Sequence, residues 1–420
     1  MSQIRPSQIF AIDLGTSKFC VARLADCGAA DGGFSIDSLA IPAKGTKRGM
    51  VVDFSAALEC LSALIEEAES RWNCDLSHGV VGIAGSHLRS HVAKGSIEIG
   101  PQQVVGAATL QRLEAQMYDA FGRSSSASQR ELLDAIAVSY QIDQRDAVDD
   151  PIGFSGTMLS TDFLMIDADK AYLRDVVRLV NAAGVKVTRL VSEPLASAYV
   201  CAGEDFRELG CCVVDIGGGT SDGLVFANGK PALAFSVPMA GFAMTSDLAV
   251  ALNLPVREAE RIKTIYGLSS SGLESLSAED IHGIQKIIPG DVVAKILEAR
   301  CRELTVSIAK HLIPFKGRLG GGVLLTGGGS QLSGVAELMG SSMRIPVKAV
   351  QPRWQKAFSL NVPRQDRLAP KFATALGLLV LGALPDAASR NRAPASDLYL
   401  AAAVSPGLVS RLRAWLREMS

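Results

Sequence analysis

The sequence lacks the cysteine and histidine patterns that bind metals or form stable disulfides. Its eight cysteines are scattered along 420 residues, with no Cys-x-x-Cys pair and no Cys/His cluster at the spacing of a zinc site. We therefore expect reduced thiols that pack as small hydrophobic side chains, which is typical of a cytosolic protein.

Long hydrophobic runs are also missing. The opening residues, MSQIRPSQIFAIDLG, contain no apolar stretch of the kind that signal peptides carry, so we do not expect secretion. The longest apolar run, FATALGLLVLGAL at 372–384, is too short to span a bilayer and precedes Pro385. This run predicts a buried helix.

A strong net charge is absent as well, since 42 Lys and Arg residues oppose 43 Asp and Glu residues. A chain with a formal net charge of -1 has no overall field that would attract nucleic acid, and we expect no nucleic-acid partner. The 48% hydrophobic and 20% charged residues are ordinary for a globular protein, and the length allows two or three folding units.

What the sequence does contain is one internal repeat. Residues 8–24 and 211–226 each predict an apolar strand, an aspartate, a glycine turn and a second apolar strand. The first aspartates of the two copies, Asp13 and Asp215, lie 202 residues apart. The repeat predicts two related halves that face each other.

The two glycine turns carry the residue types that bind phosphate. Glycine lets backbone N–H groups approach a phosphate closely, and hydroxyl and ammonium groups add further donors. The candidate phosphate-binding residues are Gly15, Thr16, Ser17, Lys18, Gly217, Gly218, Gly219 and Thr220. Because carboxylates repel phosphate, we interpret Asp13 and Asp215 as ligands of Mg²⁺, held through water. Either motif alone is explained as well by a tight turn, whereas the pair favours a nucleotide.

Two charged positions and a glycine triplet add to this pattern. Glu260 and Lys263 lie one helical turn apart and either contact the ribose and adenine or form a solvated ion pair. Glu193 either orients a water towards a γ-phosphate or simply starts a helix. A strand followed by three glycines and a helix predicts a flat backbone surface for a base or ribose-phosphate, at Gly327, Gly328 and Gly329.

The pattern of apolar and polar residues changes in several places along the chain. Helical patterns cover 246–266 and 291–312. Between about 86 and 164, short alternating stretches surround one polar helix, which predicts a small separate α+β insertion. Residues 385–406 hold three prolines and many small residues, which is typical of a tether.

The last residues, 407–420, predict an amphipathic helix whose apolar side chains fall within about 120° of its circumference. The apolar residues are Leu408, Val409, Leu412, Trp415, Leu416 and Met419, and the arginines on the other sides are Arg411, Arg413 and Arg417. With no core left to join, such a helix is expected to lie in the headgroup region of an anionic membrane. One short helix binds weakly, so the tail also favours a chain that polymerises and attaches many helices together.

Four motifs in this order resemble those of the actin/heat-shock chaperone/sugar-kinase ATPase superfamily, namely DLGTSK, SEPLASAY, DIGGGTSD and TGGGSQLSG. The resemblance covers residues 9 to about 384 and implies a two-lobed, actin-like (ribonuclease H-like) α/β fold with ATP and Mg²⁺ between the lobes. Within the superfamily, the segments KRGMVVDF and EARCREL, the insertion and the basic tail helix resemble FtsA, the actin-like family of bacterial cell division.

The resemblance to FtsA implies a division of the chain into six parts. These are a first-lobe core subdomain of residues 6–85, 165–197 and 357–384, an inserted subdomain of 86–164, a second-lobe core subdomain of 198–245 and 318–356, a second-lobe small subdomain of 246–317, a linker of 385–405 and a membrane-targeting helix of 406–420.

The same resemblance implies a protein that polymerises on the inner face of the cytoplasmic membrane at the division site and is at most a weak Mg-dependent ATPase. It implies that the C-terminal tail of the tubulin homologue FtsZ docks on residues 246–317, where Arg300 either matches a basic position of the docking surface or is a surface arginine on a helix. Later division proteins such as FtsN would contact the insertion. The alternatives are a type IV pilus adaptor of the PilM kind and a soluble phosphotransferase of the same superfamily, neither of which needs a membrane helix.

Overall fold

The structure, a computed structural model, describes residues 8–26, 34–100, 103–352 and 369–383, in which lie seventeen strands and ten α-helices. The strands are β1 (Gln8–Leu14), β2 (Lys18–Asp26), β3 (Phe34–Pro42), β4 (Thr46–Lys47), β5 (Met50–Val51), β6 (His78–Ile83), β7 (Arg89–Glu98), β8 (Arg130–Ile142), β9 (Met158–Asp169), β10 (Lys186–Ser192), β11 (Cys211–Ile216), β12 (Ser221–Ala227), β13 (Lys230–Val237), β14 (Ser275–Glu279), β15 (Gln285–Pro289), β16 (Val323–Thr326) and β17 (Val347–Ala349). The helices are α1 (Phe54–Trp72), α2 (Ala107–Gly122), α3 (Lys170–Ala182), α4 (Glu193–Cys201), α5 (Glu204–Glu208), α6 (Gly241–Leu252), α7 (Val256–Tyr266), α8 (Gly290–Leu312), α9 (Val335–Met343) and α10 (Ala373–Ala383).

Two five-stranded sheets form the centres of two lobes, and their strands follow the same order. The first sheet is ordered β10-β6-β1-β2-β3, and the second is ordered β13-β12-β11-β16-β17. In each sheet the first three strands along the chain pair antiparallel, and the last two join in parallel. The prediction of two related α/β halves is therefore confirmed.

The internal repeat extends to the register of the strands. Asp13 on β1 pairs with Cys20 on β2, and Asp215 on β11 pairs with Asp222 on β12, so each aspartate faces the residue seven positions later. The apolar side chains of β11 are buried, as expected for a central strand covered on both faces. The two glycine turns consequently occupy equivalent places at the ends of equivalent strands.

The predicted α+β insertion is present in the first lobe. Strands β7, β9 and β8 form an antiparallel sheet in that spatial order, and α2 packs on it. This layer has a hydrophobic core of its own, in which Leu113, Leu159 and Phe163 are almost fully buried. The insertion is thus a separate packing unit that joins the first lobe through β7 and β9.

The helical pattern predicted at 246–266 is divided between two helices, α6 and α7. Helix α6 ends at Leu252, and Asn253 adopts a left-handed conformation with φ of 56°. Pro255 then caps the start of α7, because proline cannot continue a helix but is tolerated at its first turn. With α8 and the β14–β15 hairpin, these helices form the outer part of the second lobe.

Residues 372–381 of the apolar run are buried, as predicted, and α10 begins within this run at Ala373. Helix α10 packs so closely on α4 that a side chain at Gly377 would collide with the backbone carbonyl of Ala196. The hydrophobic core around these helices also includes Val213 and Phe226 of the second sheet. Helices α4 and α10 therefore connect the two lobes.

Several predictions lie wholly or partly outside the described residues. These are the linker at 385–405, the membrane helix at 406–420, and residues 357–368 and 384 of the segment assigned to the first lobe. The subdomain boundaries as a whole remain a prediction. Among the residues that the structure does describe, no helix is long and apolar enough to cross a membrane.

Candidate functional site

A cleft of about 850 Å³ lies between the lobes, a size that suits a small-molecule ligand. Both glycine turns, the start of α4, helices α6 and α7, the turn after β16 and the residues that precede α10 line its walls. The cleft brings together sixteen residues that the sequence nominated, namely Asp13, Gly15, Thr16, Ser17, Lys18, Glu193, Asp215, Gly217, Gly218, Gly219, Thr220, Glu260, Lys263, Gly327, Gly328 and Gly329. Their individual roles remain predictions.

The two glycine turns approach each other across the cleft. A Cβ built on Gly218 would lie 2.8 Å from Cβ of Ser17, and one built on Gly219 would collide with the hydroxyl of Thr16 and lie 2.9 Å from the backbone N of Arg48. Glycine is therefore required at both positions by the opposite turn, in addition to any need to approach phosphate. The contact closes one end of the cleft.

Four carboxylates converge at this closed end. Burial, with the neighbouring carboxylates, raises the pKa of Asp215 to about 7 and that of Asp222 to about 6. Burial and the charges of Asp13, Asp222 and Asp215 also raise the pKa of Glu193 well above its usual value. Lys18 donates to Asp13 at 2.8 Å and is the one lysine in a salt bridge with these four groups among the described residues. The end of the cleft thus holds more negative than positive charge.

The acidic cluster is suited to a divalent cation that keeps its waters. Among the residues described, no three His, Cys, Asp or Glu side chains are arranged to hold a metal ion directly. The donors present are carboxylate and hydroxyl oxygens, which suit Mg²⁺, and Mg²⁺ in nucleotide sites usually retains several water ligands. Asp13 and Asp215, on equivalent strands of the two lobes, fit the prediction of binding through water.

At the end of the cleft lined by α6 and α7, Glu260 and Lys263 form an ion pair that differs from the solvated pair considered from sequence. Nζ of Lys263 donates to Oε2 of Glu260 at 2.7 Å, to Oγ1 of Thr245 at 2.9 Å and to the carbonyl of Gly241 at 3.1 Å. These acceptors occupy all three donors of the ammonium, and Lys263 is buried, with 8% of the residue exposed. The Glu260 side chain is 46% exposed, so Glu260 is the better placed of the pair to reach a ligand.

The structure adds residues to the cleft that the sequence analysis did not nominate. Asp222 is the last residue of the quoted motif DIGGGTSD and accepts a hydrogen bond from Thr220 at 2.7 Å. Its position seven residues after Asp215, in a hairpin, was the signal that could have found it. Thr374, from the run at 372–384 interpreted only as a buried helix, also lines the cleft, as does Lys371 immediately before that run.

Arg300 lies on α8, outside the cleft, in an ion-pair cluster. Its Nε and Nη2 donate to the two carboxylate oxygens of Asp247 at 2.6 and 2.9 Å, and its Nη1 donates to Glu303 at 2.6 Å. The guanidinium is therefore held in a bidentate geometry by protein carboxylates. An acidic ligand at this position has to compete with Asp247.

Comparison with protein families shows two matches on this chain. The model described as "Cell division protein FtsA" matches residues 212–377, and the model described as "SHS2 domain inserted in FTSA" matches residues 85–167. The second match coincides with the α+β insertion. The two matched regions thus include the second glycine turn and the insertion.

Curated proteins agree with this family, and a solved structure agrees with the fold. Cell division protein FtsA of Neisseria meningitidis is 30% identical over 98% of each chain, and that of Pseudomonas aeruginosa is 28% identical over 97% of each chain. Among solved structures, the PilM-PilN type IV pilus biogenesis complex superposes with a TM-score of 0.62 at 17% identity, covering 91% of this chain and 100% of that one. A likeness at this identity concerns the actin-like fold alone.

Because the pKa of Asp215 is raised, the stability of the folded protein should depend on pH. Its pKa in the folded protein, about 7, exceeds the ordinary value of 3.8, so the stability it contributes is present below pH 4 and is lost as pH rises through 7. In EDTA, the free energy of unfolding of Asp215→Asn relative to the native chain should rise by about 2 kcal/mol between pH 5 and pH 8. Urea unfolding at both pH values measures this difference.

The control is Asp146→Asn, which changes an exposed aspartate in the insertion. It should show no such gain relative to the native chain. An Asp215→Asn gain that is independent of pH would contradict the account of burial and carboxylate repulsion given for this cluster.

Proposed function

This chain belongs to the FtsA family of bacterial cell division proteins, and from that premise we propose that it is an ATP-binding, membrane-tethered filament protein. The observation that carries the proposal is the convergence of sixteen nominated residues, from five separate motifs, on one interlobe cleft. Such a convergence is expected of a nucleotide site assembled from two facing lobes. It is not expected of tight turns that serve only the fold.

In this proposal the two glycine turns hold the phosphates of ATP from opposite sides. Backbone N–H groups and the hydroxyls of Thr16, Ser17 and Thr220 would donate to phosphate oxygens. When bound, Mg²⁺ would neutralise charge shared by the carboxylates and the phosphates, and Asp13 and Asp215 would hold it through water. Glu260 and the glycines after β16 would contact the nucleoside.

Glu193 is our candidate for orienting a water towards the γ-phosphate. It begins α4 and lines the cleft beside the other carboxylates. Burial and the neighbouring carboxylates raise its pKa well above the usual value, so the nucleotide-free side chain resists ionisation, and a carboxyl group that keeps its proton cannot accept one from water. This supports at most a weak Mg-dependent ATPase, in which ATP chiefly stabilises one arrangement of the lobes.

Membrane attachment is proposed to come from the segment at 406–420, which lies outside the described residues. Its predicted apolar face, with Trp415 and three arginines, suits the headgroup region of an anionic bilayer. Because one short helix binds weakly, head-to-tail filaments would supply the avidity for stable attachment. We place the protein on the cytoplasmic face of the inner membrane at the division site.

The proposed partners are the tail of FtsZ, further copies of this chain and later division proteins such as FtsN. FtsZ would dock on residues 246–317, where Arg300 is a candidate contact for an acidic tail. FtsN or a protein of similar role would contact the insertion. The chain would thereby connect the FtsZ polymer with the membrane and with the later proteins of division.

The two alternatives, a pilus adaptor and a phosphotransferase, require different properties of the protein. A pilus adaptor of the PilM kind would bind a different peptide and need no membrane helix. A soluble phosphotransferase would turn over ATP rapidly with a small acceptor. The family assignment favours the division protein over both, and the fold likeness to the PilM-PilN complex does not distinguish them.

The nucleotide site is tested with Gly219→Ala. A methyl group there collides with Thr16, so the turns must separate and the affinity for Mg-ATP should fall at least about tenfold. Titration calorimetry with ATP in Mg²⁺ measures this. The control is Gly122→Ala, where a methyl group meets open space, and it should bind ATP as the native chain does. A native chain that fails to bind Mg-ATP would remove the nucleotide from the proposal.

The membrane anchor is tested by deletion of residues 406–420. The truncated chain should remain in the supernatant when vesicles of phosphatidylglycerol and phosphatidylcholine are sedimented, and it should still bind Mg-ATP. In the full chain, Leu412→Glu places a charge on the predicted apolar face and should release the protein. The control, Ser410→Glu, adds the same charge on the opposite predicted face and should leave the protein bound. Sedimentation of the truncated chain with the vesicles would show that the anchor lies elsewhere.

Docking of FtsZ is tested by the anisotropy of a labelled FtsZ C-terminal peptide. Arg300→Ala should weaken binding about tenfold, whereas Asp247→Asn should strengthen it, because it releases the guanidinium from its bidentate partner. The control is Arg302→Ala, which removes an arginine paired with Glu298 on the same helix. If Arg300→Ala and Arg302→Ala weaken binding equally, the effect of Arg300 comes from the overall positive charge of the helix and not from a specific contact.

A further inference from the structure

The five residues before and at the start of α10, 370–374, contact both lobes. Helix α10 packs on α4, β1 and β6 of the first lobe. The carbonyl of Pro370 nevertheless accepts a hydrogen bond from the backbone N of Gly327 at 3.2 Å, and Oγ1 of Thr374 donates to Oδ2 of Asp215 at 2.9 Å. Both partners belong to the second lobe and to the cleft wall.

Thr374 fixes the orientation of the Asp215 carboxylate. The Thr374 residue is 7% exposed, so its hydroxyl has little access to water. The other carboxylate oxygen of Asp215 lies against Gly327, where a Cβ would collide with it. The carboxylate is thus held between a hydroxyl and a backbone segment. A hydrogen bond from Thr374 also favours the ionised carboxylate against the effect of burial.

Lys371 brings a second ammonium group to the same end of the cleft. Its Nζ lies 5.1 Å from the centroid of the Phe372 ring, and Nζ of Lys18 lies 5.8 Å from the same centroid. Lys18 is already bonded to Asp13, whereas Lys371 is exposed and makes no salt bridge with any residue in the described part of the chain. Of the two, Lys371 is the one whose charge is available to a ligand.

We propose that residues 370–374 complete the phosphate end of the cleft, with Thr374 as a positioning residue for Asp215 and Lys371 as a binding residue for the phosphate tail of a nucleotide. The inference rests on the proposed nucleotide site and assigns it two residues from the opposite end of the chain. Thr374 would hold the Asp215 carboxylate in position for a hydrated cation, and Lys371 would offset the excess of carboxylates that otherwise repel the phosphates.

The role of Thr374 is tested by calorimetric titration of ATP in Mg²⁺ and in EDTA. Thr374→Val keeps the shape of the side chain and removes the hydroxyl, so the gain in ATP affinity that Mg²⁺ gives should shrink about tenfold. Thr374→Ser should restore it. The control is Thr188→Val, which removes a hydroxyl bonded to the carbonyl of Gly79 outside the cleft. A purely structural role would lower ATP affinity equally in Mg²⁺ and in EDTA, which would overturn the assignment.

The role of Lys371 is tested with ATP and adenosine as the two probes. Lys371→Met should lower the affinity for ATP about tenfold and that for adenosine less than about twofold, because only ATP carries phosphates. Lys371→Arg should retain most of the affinity for ATP. The control is Lys316→Met, an exposed lysine away from the cleft. An equal loss for both probes, or no loss of ATP affinity, would overturn the assignment.

Failure of this inference is distinguishable from failure of the nucleotide site itself. If the native chain binds Mg-ATP but Thr374→Val and Lys371→Met bind it as the native chain does, the site stands without residues 370–374. If the native chain does not bind Mg-ATP, the proposed function fails before either variant is compared.

Discussion

Mutual repulsion among four carboxylates is the constraint on which the cleft depends. Asp13, Asp215, Asp222 and Glu193 come from both lobes and meet where burial makes each charge costly. Lys18 compensates one of them directly. The remaining charge can be relieved by protonation or by a cation, so the same groups that disfavour an empty, fully ionised cleft would favour the Mg²⁺-bearing ligand proposed for it.

This electrostatic constraint acts on the arrangement of the lobes because its members sit on opposite sides. The glycine turns touch where Gly218 and Gly219 leave room for Ser17 and Thr16, and helices α4 and α10 join the lobes behind them. A ligand that neutralises the carboxylates therefore stabilises the closed arrangement in proportion to its preference for that arrangement. In the proposed site, neutralisation of the carboxylates would therefore be coupled to the arrangement of the lobes.

The parts of the site that could be predicted are those whose residues lie near one another in sequence. A strand, an aspartate and a glycine turn form a local unit, so two copies predicted both the repeated sheets and the convergence of their turns. Thr374 was missed because its partner Asp215 lies 159 residues away and its own segment has the composition of a core helix. The split between α6 and α7 was missed although Pro255 marked it. Contacts between distant segments depend on the packing of α10, which composition alone does not reveal.

The insertion is attached to both lobes, which follows from the edge strand it covers. Strand β13 is an edge of the second sheet, where unpaired backbone groups would otherwise be exposed. Oγ of Ser90, at the start of the insertion, donates to the carbonyl of Ala234 at 2.7 Å and accepts from its N–H at 3.0 Å. Lys230 also pairs with Asp149 at 3.2 Å. A rotation of one lobe against the other must either break these bonds or carry the insertion with it, so the geometry of the cleft and the position of the insertion are mechanically linked.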